Sequence, residues 1–310
     1  MELLAQREAF CISYGVSRPQ LPLRDIAHWE AMFKGTVHQQ NPLHDELASV
    51  APGYFYLPVS EHPDPLQMDR LVAEAREADW LLIPSLKASQ PLYQGPYDRK
   101  IIAVPFMPVA YLRVETTLDN SLLMSMGRKQ LKEMVRLTRR AEEFCHTEIH
   151  RLDRLPENSE VLQAFSSLQS LNVDKYRHVR NLYSLAAMQA LARSAESSRY
   201  YIKINYEKTT NLPVYASLSY VDEQQGVFSQ LVQGQDRDRV AAGLNLYVSD
   251  YYQLYKAADE LGMRTHCLGR GAIDIKKRMG ANLIVDLENW LIPLRTTRAD
   301  QMREFSNKDS

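Results

Sequence analysis

Hydrophobic and polar positions alternate most clearly between residues 200 and 234. The runs "YYIKINYE" (200–207), "LPVYASLSYV" (212–221) and "VFSQLVQG" (227–234) have strand length and are rich in β-branched and aromatic residues. The turn signals "KTTN" and "DEQQG" separate them, so the pattern predicts an antiparallel meander of three strands. Spacings of three and four mark helices on either side. In "SLLMSMGRKQLKEMVRLTRRAEEF" (121–144), Leu131, Met134, Val135 and Thr138 fall at i, i+3, i+4 and i+7, with Asn120 as N-cap. Two further helices are expected in "SEVLQAFSSLQSL", which starts at Ser159, and in "VRNLYSLAAMQALARSA" (179–195). In "SDYYQLYKAADELG", Tyr251, Leu254, Tyr255, Ala258 and Leu261 share one helical face, and Gly262 suits the C′ position. A strand "RTHCL", a short helix "AIDIKKRMG" and a last strand "NLIVDLENWLIPL" complete this half.

The first hundred residues are proline-rich and short-segmented. Helices are expected in "LRDIAHWEAMFKG", closing on Gly35, and in "PLQMDRLVAEAREAD" (65–79), with strands in "YFYLPV", "WLLIPS" and "KIIAVPF". The whole reads as α+β. It excludes a dinucleotide fold, which needs a Gly-rich turn directly after the first strand of a βαβ unit.

Composition narrows the function classes. The formal net charge is -1 over 310 residues, so no global basic excess drives binding to nucleic acid, and any anion site is local. Cys11, Cys145 and Cys267 are widely spaced and give neither a disulfide framework nor a zinc site. No apolar run approaches the roughly 18 residues that span a bilayer, and the N-terminus has no signal-peptide core. The expectation is a cytoplasmic protein with no metal and no membrane partner.

Candidate chemistry begins with "GRGAIDIKKRMGA" (269–281). Gly269 and Gly271 permit a tight turn from strand to helix, and Gly280 suits its end. Lys276, Lys277 and Arg278 fall in the last helical turn, where cations suit the macrodipole. The spacing fails the nucleotide-triphosphate loop G-x-x-x-x-G-K-S/T. A strand–turn–helix junction and an anion site both remain open. The basic residues Arg128, Lys129, Lys132, Arg136, Arg139 and Arg140 likewise read as a solvated helix face or as an anion-facing surface.

Two stretches, "SLLMSMGRKQLKEMVRLTRRAEEFCHTEIHRL" and "SDYYQLYKAADELGMRTHCLGRGAIDIKKRMGA", carry a resemblance to the GNAT superfamily, in its Fem-type, acetyltransferase-like branch. The second matches that family's helix ending in Gly, then a strand, then G-R-G, then a lysine five or six residues on, then G-A. The resemblance covers about Ser121 to Leu291. Where the family often has an acidic residue on the strand before the glycines, this chain has Cys267. The resemblance implies a GNAT-like mixed, mostly antiparallel sheet flanked by helices. It implies an acyltransferase domain over 116–310, preceded by an α/β half over 1–115 that fits as a degenerate GNAT-like copy, two halves in tandem.

The implied activity is that of an N-acyltransferase. An acyl or aminoacyl group passes from an activated carrier to the amine of a small molecule, by direct attack and without a covalent enzyme intermediate. Acyl-CoA, an acyl-carrier protein or an aminoacyl-tRNA serves as cosubstrate, and no cofactor is bound permanently. A non-catalytic ligand-binding protein with the same fold is the alternative, and a structural subunit of an oligomer using the Tyr-rich strands is a third.

Lys276 and Arg270, with Gly269 and Gly271, are the carrier-binding candidates; helix capping and a surface ion pair are the plainer reading of the two cations. Strand alternation puts Tyr215, Ser217 and Ser219 on one face, with Gln230 across from them, as pocket lining or as a solvated sheet face. Tyr220 and Ser219 are candidates for proton transfer, and Tyr247 is weighed beside them, though a buried tyrosine also packs with one satisfied hydroxyl. In "VDKYRH" (173–178), Asp174, Lys175 and Tyr176 are acceptor-site candidates. His178, His266 and Cys267 are read against structural roles.

Overall fold

The computed structural model describes residues 10–14, 16–23, 26, 46–51, 62–88, 97, 101–175 and 181–295, and leaves out the side chains of 174 and 175. In chain order the strands are β1 (Gln20–Pro22), β2 (Leu47–Val50), β3 (Trp80–Lys87), β4 (Ile102–Arg113), β5 (Cys145–Arg151), β6 (Tyr200–Glu207), β7 (Pro213–Asp222), β8 (Val227–Gln235), β9 (Thr265–Arg270) and β10 (Leu283–Pro293). The helices are α1 (Pro65–Glu74), α2 (Leu118–Phe144), α3 (Glu160–Lys175), α4 (Leu185–Arg193), α5 (Leu246–Glu260) and α6 (Ile273–Arg278). The chain forms two compact units, Met1–Pro108 with Val285–Ser310, and Val109–Ile284.

In the first unit β2 and β3 run parallel and are joined through α1, while β1 and β10 pair antiparallel with β2 and β3 respectively. A capping box opens α1: Asp64 Oδ1 accepts from the Gln67 N–H at 2.7 Å, and Gln67 Oε1 accepts from the Asp64 N–H at 2.9 Å. The helix stops at Glu74, short of the expected Asp79, because the chain turns at Ala75–Glu77 to enter β3. β3 is a nearly continuous apolar run, with Trp80, Leu81, Leu82 and Leu86 all at 1% exposure or less, as a strand covered on both faces requires. The helix expected over 23–35 and the strand "YFYLPV" fall largely or wholly outside the described residues.

In the second unit the strand order is β4-β9-β8-β7-β6-β5, with β4 counted from Val109. The meander β6–β7–β8 stands within a residue of its expected bounds. From β8 the chain crosses through α5 to β9, which runs parallel to β8. Helix α2 packs on α5 through an apolar cluster that includes Leu122, Met134, Tyr251, Tyr255 and Met279. Its N-cap is Thr117, whose Oγ1 accepts from the Asn120 N–H at 3.3 Å; Asn120, the expected cap, already lies in the first turn. Gly127 interrupts this helix at φ 78°, ψ 160°, a conformation that favours glycine. α4 spans only Leu185–Arg193, capped by Ser184. Leu261, expected on the apolar face of α5, is 43% exposed, because the helix has ended and Gly262 turns the chain away at φ 75°.

On the other face of the sheet α3 lies against β7 and β8. A Cβ at Gly234 would stand 2.3 Å from the Leu168 carbonyl oxygen and 2.6 Å from the Gln169 nitrogen. Only glycine allows α3 to approach β8 this closely. The α+β class expected from the sequence, a mixed and mostly antiparallel arrangement flanked by helices, is the one observed.

Candidate functional site

The site grows from the crossover β8–α5–β9. The two parallel strands pair at Val227–Thr265, Phe228–His266 and Ser229–Cys267. Beyond that point β8 continues to Gln235 and β9 to Arg270 without further pairing between them, so the strands part in a V. A bulge at the same place shifts the β7–β8 register between Leu218 and Ser219, whose partners are Val232 and Gln230. The extra residue, Leu231, brings Gln230 and Gln233 onto one face, where their side chains bond at 3.1 Å.

That face holds a buried polar cluster centred on Asp250 of α5. Lys203 Nζ donates to Asp250 Oδ1 at 2.7 Å, with the two side chains 1% and 0% exposed. Ser217 Oγ donates to the same oxygen at 3.0 Å, and Gln230 Nε2 donates to Oδ2 at 2.6 Å. The Tyr215 hydroxyl lies 2.6 Å from Gln233 Oε1 and 3.1 Å from Asp250 Oδ2, and its single proton serves one at a time. Burial, reinforced by the Asp250 charge, holds the Tyr215 phenol well above its ordinary range. The structure thus brings together Tyr215, Ser217 and Gln230, as strand alternation anticipated. It adds Lys203, Gln233 and Asp250, which sequence reasoning missed. One signal was present: Asp250 sits four residues before Leu254 and eight before Ala258, on the buried side of α5.

Ser219 belongs to this face, and its Oγ is buried with no hydrogen-bond partner among the described residues. Tyr220 points to the opposite face. Its hydroxyl accepts from Arg199 at 2.6 Å, and burial pushes the phenol up to about 12. The two residues paired for proton transfer therefore do not share a site. Tyr247 stacks edge-on against Tyr251, whose hydroxyl donates to the Leu268 carbonyl at 3.1 Å and so ties α5 to β9.

At the far end of β9 the chain turns through three left-handed residues, Gly269 at φ 82°, Gly271 at 63° and Ala272 at 47°. Lys276 does not form a surface ion pair, nor does its ammonium reach into solvent. It is 4% exposed, and its Nζ donates to the Arg270 carbonyl at 2.6 Å. The same nitrogen lies 3.5 Å from where a Gly269 Cβ would be, and the Gln230 carbonyl oxygen lies 3.8 Å from that point. Lys276 is thus beside the mouth of the V. Burial, opposed by nearby Cys267 and reinforced by Arg270, lowers its pKa to about 8. Arg270 is half-buried on the same turn.

Cys267 is buried, and burial raises its thiol above the ordinary value, the reverse of what a thiolate nucleophile needs. His266 is 2% exposed, with both ring nitrogens lacking a hydrogen-bond partner among the described residues; burial lowers its pKa to about 4. Tyr176, His178 and the side chains of Asp174 and Lys175 lie outside the described residues. The basic residues of α2 are exposed, and Glu133 pairs with Arg136 at 2.6 Å. Arg140 approaches the loop before α5, with its Nη2 4.0 Å from where a Gly243 Cβ would be.

No protein-family model matches the sequence, and no curated protein matches it. Among solved structures, L-PGS from Bacillus licheniformis is similar over 84% of this chain and 82% of its own, at 10% identity and a TM-score of 0.55. A conserved protein of unknown function from Bacteroides thetaiotaomicron is similar over 94% of this chain and 97% of its own, at 10% identity and a TM-score of 0.52. More loosely, a GCN5-related N-acetyltransferase from Kribbella flavida aligns over 96% of this chain and 98% of its own, at 16% identity and a TM-score of 0.43. At such identities the likeness is one of fold.

Proposed function

We propose that the chain is an N-acyltransferase that takes an acyl or aminoacyl group from an activated carrier and gives it to the amine of a small molecule. The observation that carries this reading is the parting of β8 and β9 after Ser229–Cys267. From Gln230 on, the edge of β8 that faces β9 has no strand partner among the described residues, and backbone N–H groups on such an edge suit the oxyanion of a tetrahedral intermediate. In the step itself a neutral amine bonds to the acyl carbon. The carbon–sulfur bond of a thioester, or the carbon–oxygen bond of an ester, then breaks. The proton shed by the nitrogen goes to the leaving group through water or a base. Acyl-CoA, an acyl-carrier protein and an aminoacyl-tRNA all remain donors of the right chemistry.

In this reading the glycine turn at Gly269–Gly271 and Arg270 meet the carrier. Lys276 is a positioning residue that holds the end of β9 through the Arg270 carbonyl. A Fem-type enzyme of small-molecule biosynthesis in the cytoplasm is the finer form of the proposal. The parallel pair bridged by a helix in each unit supports reading the first as a degenerate copy of the second.

The test incubates the full chain with a panel of acyl-CoAs and amines and follows thiol release with a chromogenic disulfide. Amine-dependent release is expected, falling more than about tenfold in Lys276→Met if the site is placed correctly. Filter binding of charged tRNA at two salt concentrations decides that donor, since absence of binding at low salt removes it. If no CoA ester, charged carrier protein or aminoacyl-tRNA is turned over with any amine, the reading fails. Turnover that Lys276→Met leaves untouched would keep the function and move the site.

A further inference from the structure

On the α5 face of the second unit, beside the Asp250 cluster, lies a cavity of about 210 Å³. Ile149 on β5, Phe228 on β8 and Leu254, Ala257 and Leu261 on α5 form most of its wall, with Tyr201 of β6 and the exposed Glu260 of α5 completing it. Ile149 and Leu261 are 48% and 43% exposed and mark its rim, whereas Ser219 and Lys203, at 1% each, lie at its floor. Two donors at that floor are unused. Among the described residues Ser219 Oγ has no partner and Lys203 Nζ makes one hydrogen bond, to Asp250 Oδ1, with the Tyr215 ring 5.7 Å away, which leaves two of its three N–H groups without a hydrogen-bond acceptor.

Charge, size and polarity then define an occupant. The Lys203–Asp250 pair is already neutral and Glu260 stands exposed at the rim, so an anion meets repulsion and an uncompensated burial, while a cation at the floor would face only the donors Lys203 and Ser219. An apolar cavity of about 150 Å³ in another protein accepts benzene, so this one suits about six to nine non-hydrogen atoms. The unused donors call for one acceptor atom at the buried end of the ligand.

We propose that this cavity is a binding site for a small uncharged molecule, an alkyl or aryl tail ending in one hydroxyl or carbonyl oxygen that meets Ser219 and Lys203. The inference rests on the cavity and stands apart from the acyl-transfer reading, so its readout is binding and not turnover.

Benzyl alcohol is the probe, titrated into the full chain carrying labelled Ile, Leu and Val methyl groups and followed by NMR. Saturable shifts are expected at Ile149, Leu254 and Leu261, and benzoate should bind at least about tenfold more weakly. Ser219→Ala should weaken benzyl alcohol roughly fivefold and leave toluene unchanged. Ala257→Trp, which fills the cavity, should abolish the shifts; if circular dichroism shows that this variant fails to fold, Leu261→Arg at the exposed rim takes its place and should weaken binding. The proposal is overturned by equal binding of benzoate, by shifts confined to other methyls, or by a filled variant that binds like the wild type. It is also overturned if no saturation is seen up to about 20 mM, the weak end for a ligand of this size.

Discussion

Replacing Asp250 by Asn tests what fixes α5 on its sheet. The change keeps the side-chain shape and removes the charge. Lys203 Nζ, 2.7 Å away and 1% exposed, is then left without its counter-ion. Removing one partner of a buried ion pair costs about 3–5 kcal/mol, far more than the pair is worth against an apolar replacement. The amide keeps one oxygen where the carboxylate offered two: at the Oδ1 position it still accepts from Ser217, while Gln230, which donates to Oδ2, must turn its own Oε1 toward the new NH2, so most of the loss comes from the stranded ammonium. Set against a total stability of roughly 5–15 kcal/mol, this is a large fraction. It corresponds to a fall in melting temperature of about 6–20 °C for a domain of this size. Lys203→Met combined with Asp250→Asn removes both charges at nearly constant volume and should recover most of the loss. The assay is urea denaturation of the full chain followed by circular dichroism, with all four members of the double-mutant cycle measured. A single Asp250→Asn variant within about 1 kcal/mol of the wild type would refute the reasoning. So would a double variant that loses the sum of the two singles.

Three further outcomes follow from the geometry. His266 is pushed down to about 4 in the fold, against 6.5 for the free side chain. Between these values the unfolded chain binds a proton that the fold refuses, so stability should fall as pH drops from about 6.5 to 4, by roughly 3 kcal/mol, and His266→Phe should remove that share of the slope in urea melts taken across the window. Gly234→Ala should cost about 3 kcal/mol or more in a thermal melt, since its methyl would meet the α3 backbone at 2.3 Å; a melting temperature equal to wild type would show that α3 stands farther off. Ser219→Ala should leave the ligand-free chain unchanged or up to about 1 kcal/mol more stable by urea denaturation, because its Oγ has no bond to lose among the described residues; a loss above that would reveal an unrecognised partner.

The meander was legible because β6, β7 and β8 follow one another with short turns, and local alternation suffices for strands so joined. The apolar face of α5 was legible for the same reason, through Tyr251, Leu254, Tyr255 and Ala258. Half of the polar cluster could be read as well, since Tyr215 and Ser217 alternate on one strand. Its centre could not. Asp250 reaches the sheet from a helix 33 residues beyond Ser217, and no local pattern links the two. Lys203 was hidden because both faces of β6 are covered, so its place between Ile202 and Ile204 looked like ordinary alternation with solvent. Lys276 was recognised as a singular cation, but its direction was not. Position in the last turn of a short helix fits an outward side chain as well as one folded back to the Arg270 carbonyl. The bulge at Leu231 that aligns Gln230 with Gln233 leaves no mark in the residue pattern at all.

The pairing of β10 with β3 has a consequence for the order in which the chain can be completed. Val109–Ile284 is continuous and is whole as soon as Ile284 has left the ribosome. The first unit is not: β3, apolar along nearly its full length, waits for Leu287–Pro293 to supply its antiparallel neighbour. Throughout synthesis of the intervening residues that edge stands open, and an open apolar edge is where strands of other chains attach. The later-made unit can therefore reach its native state before the earlier-made one, which reverses the usual vectorial order. A nascent chain arrested with Ile284 just clear of the ribosome would carry a finished second unit and an adhesive first one.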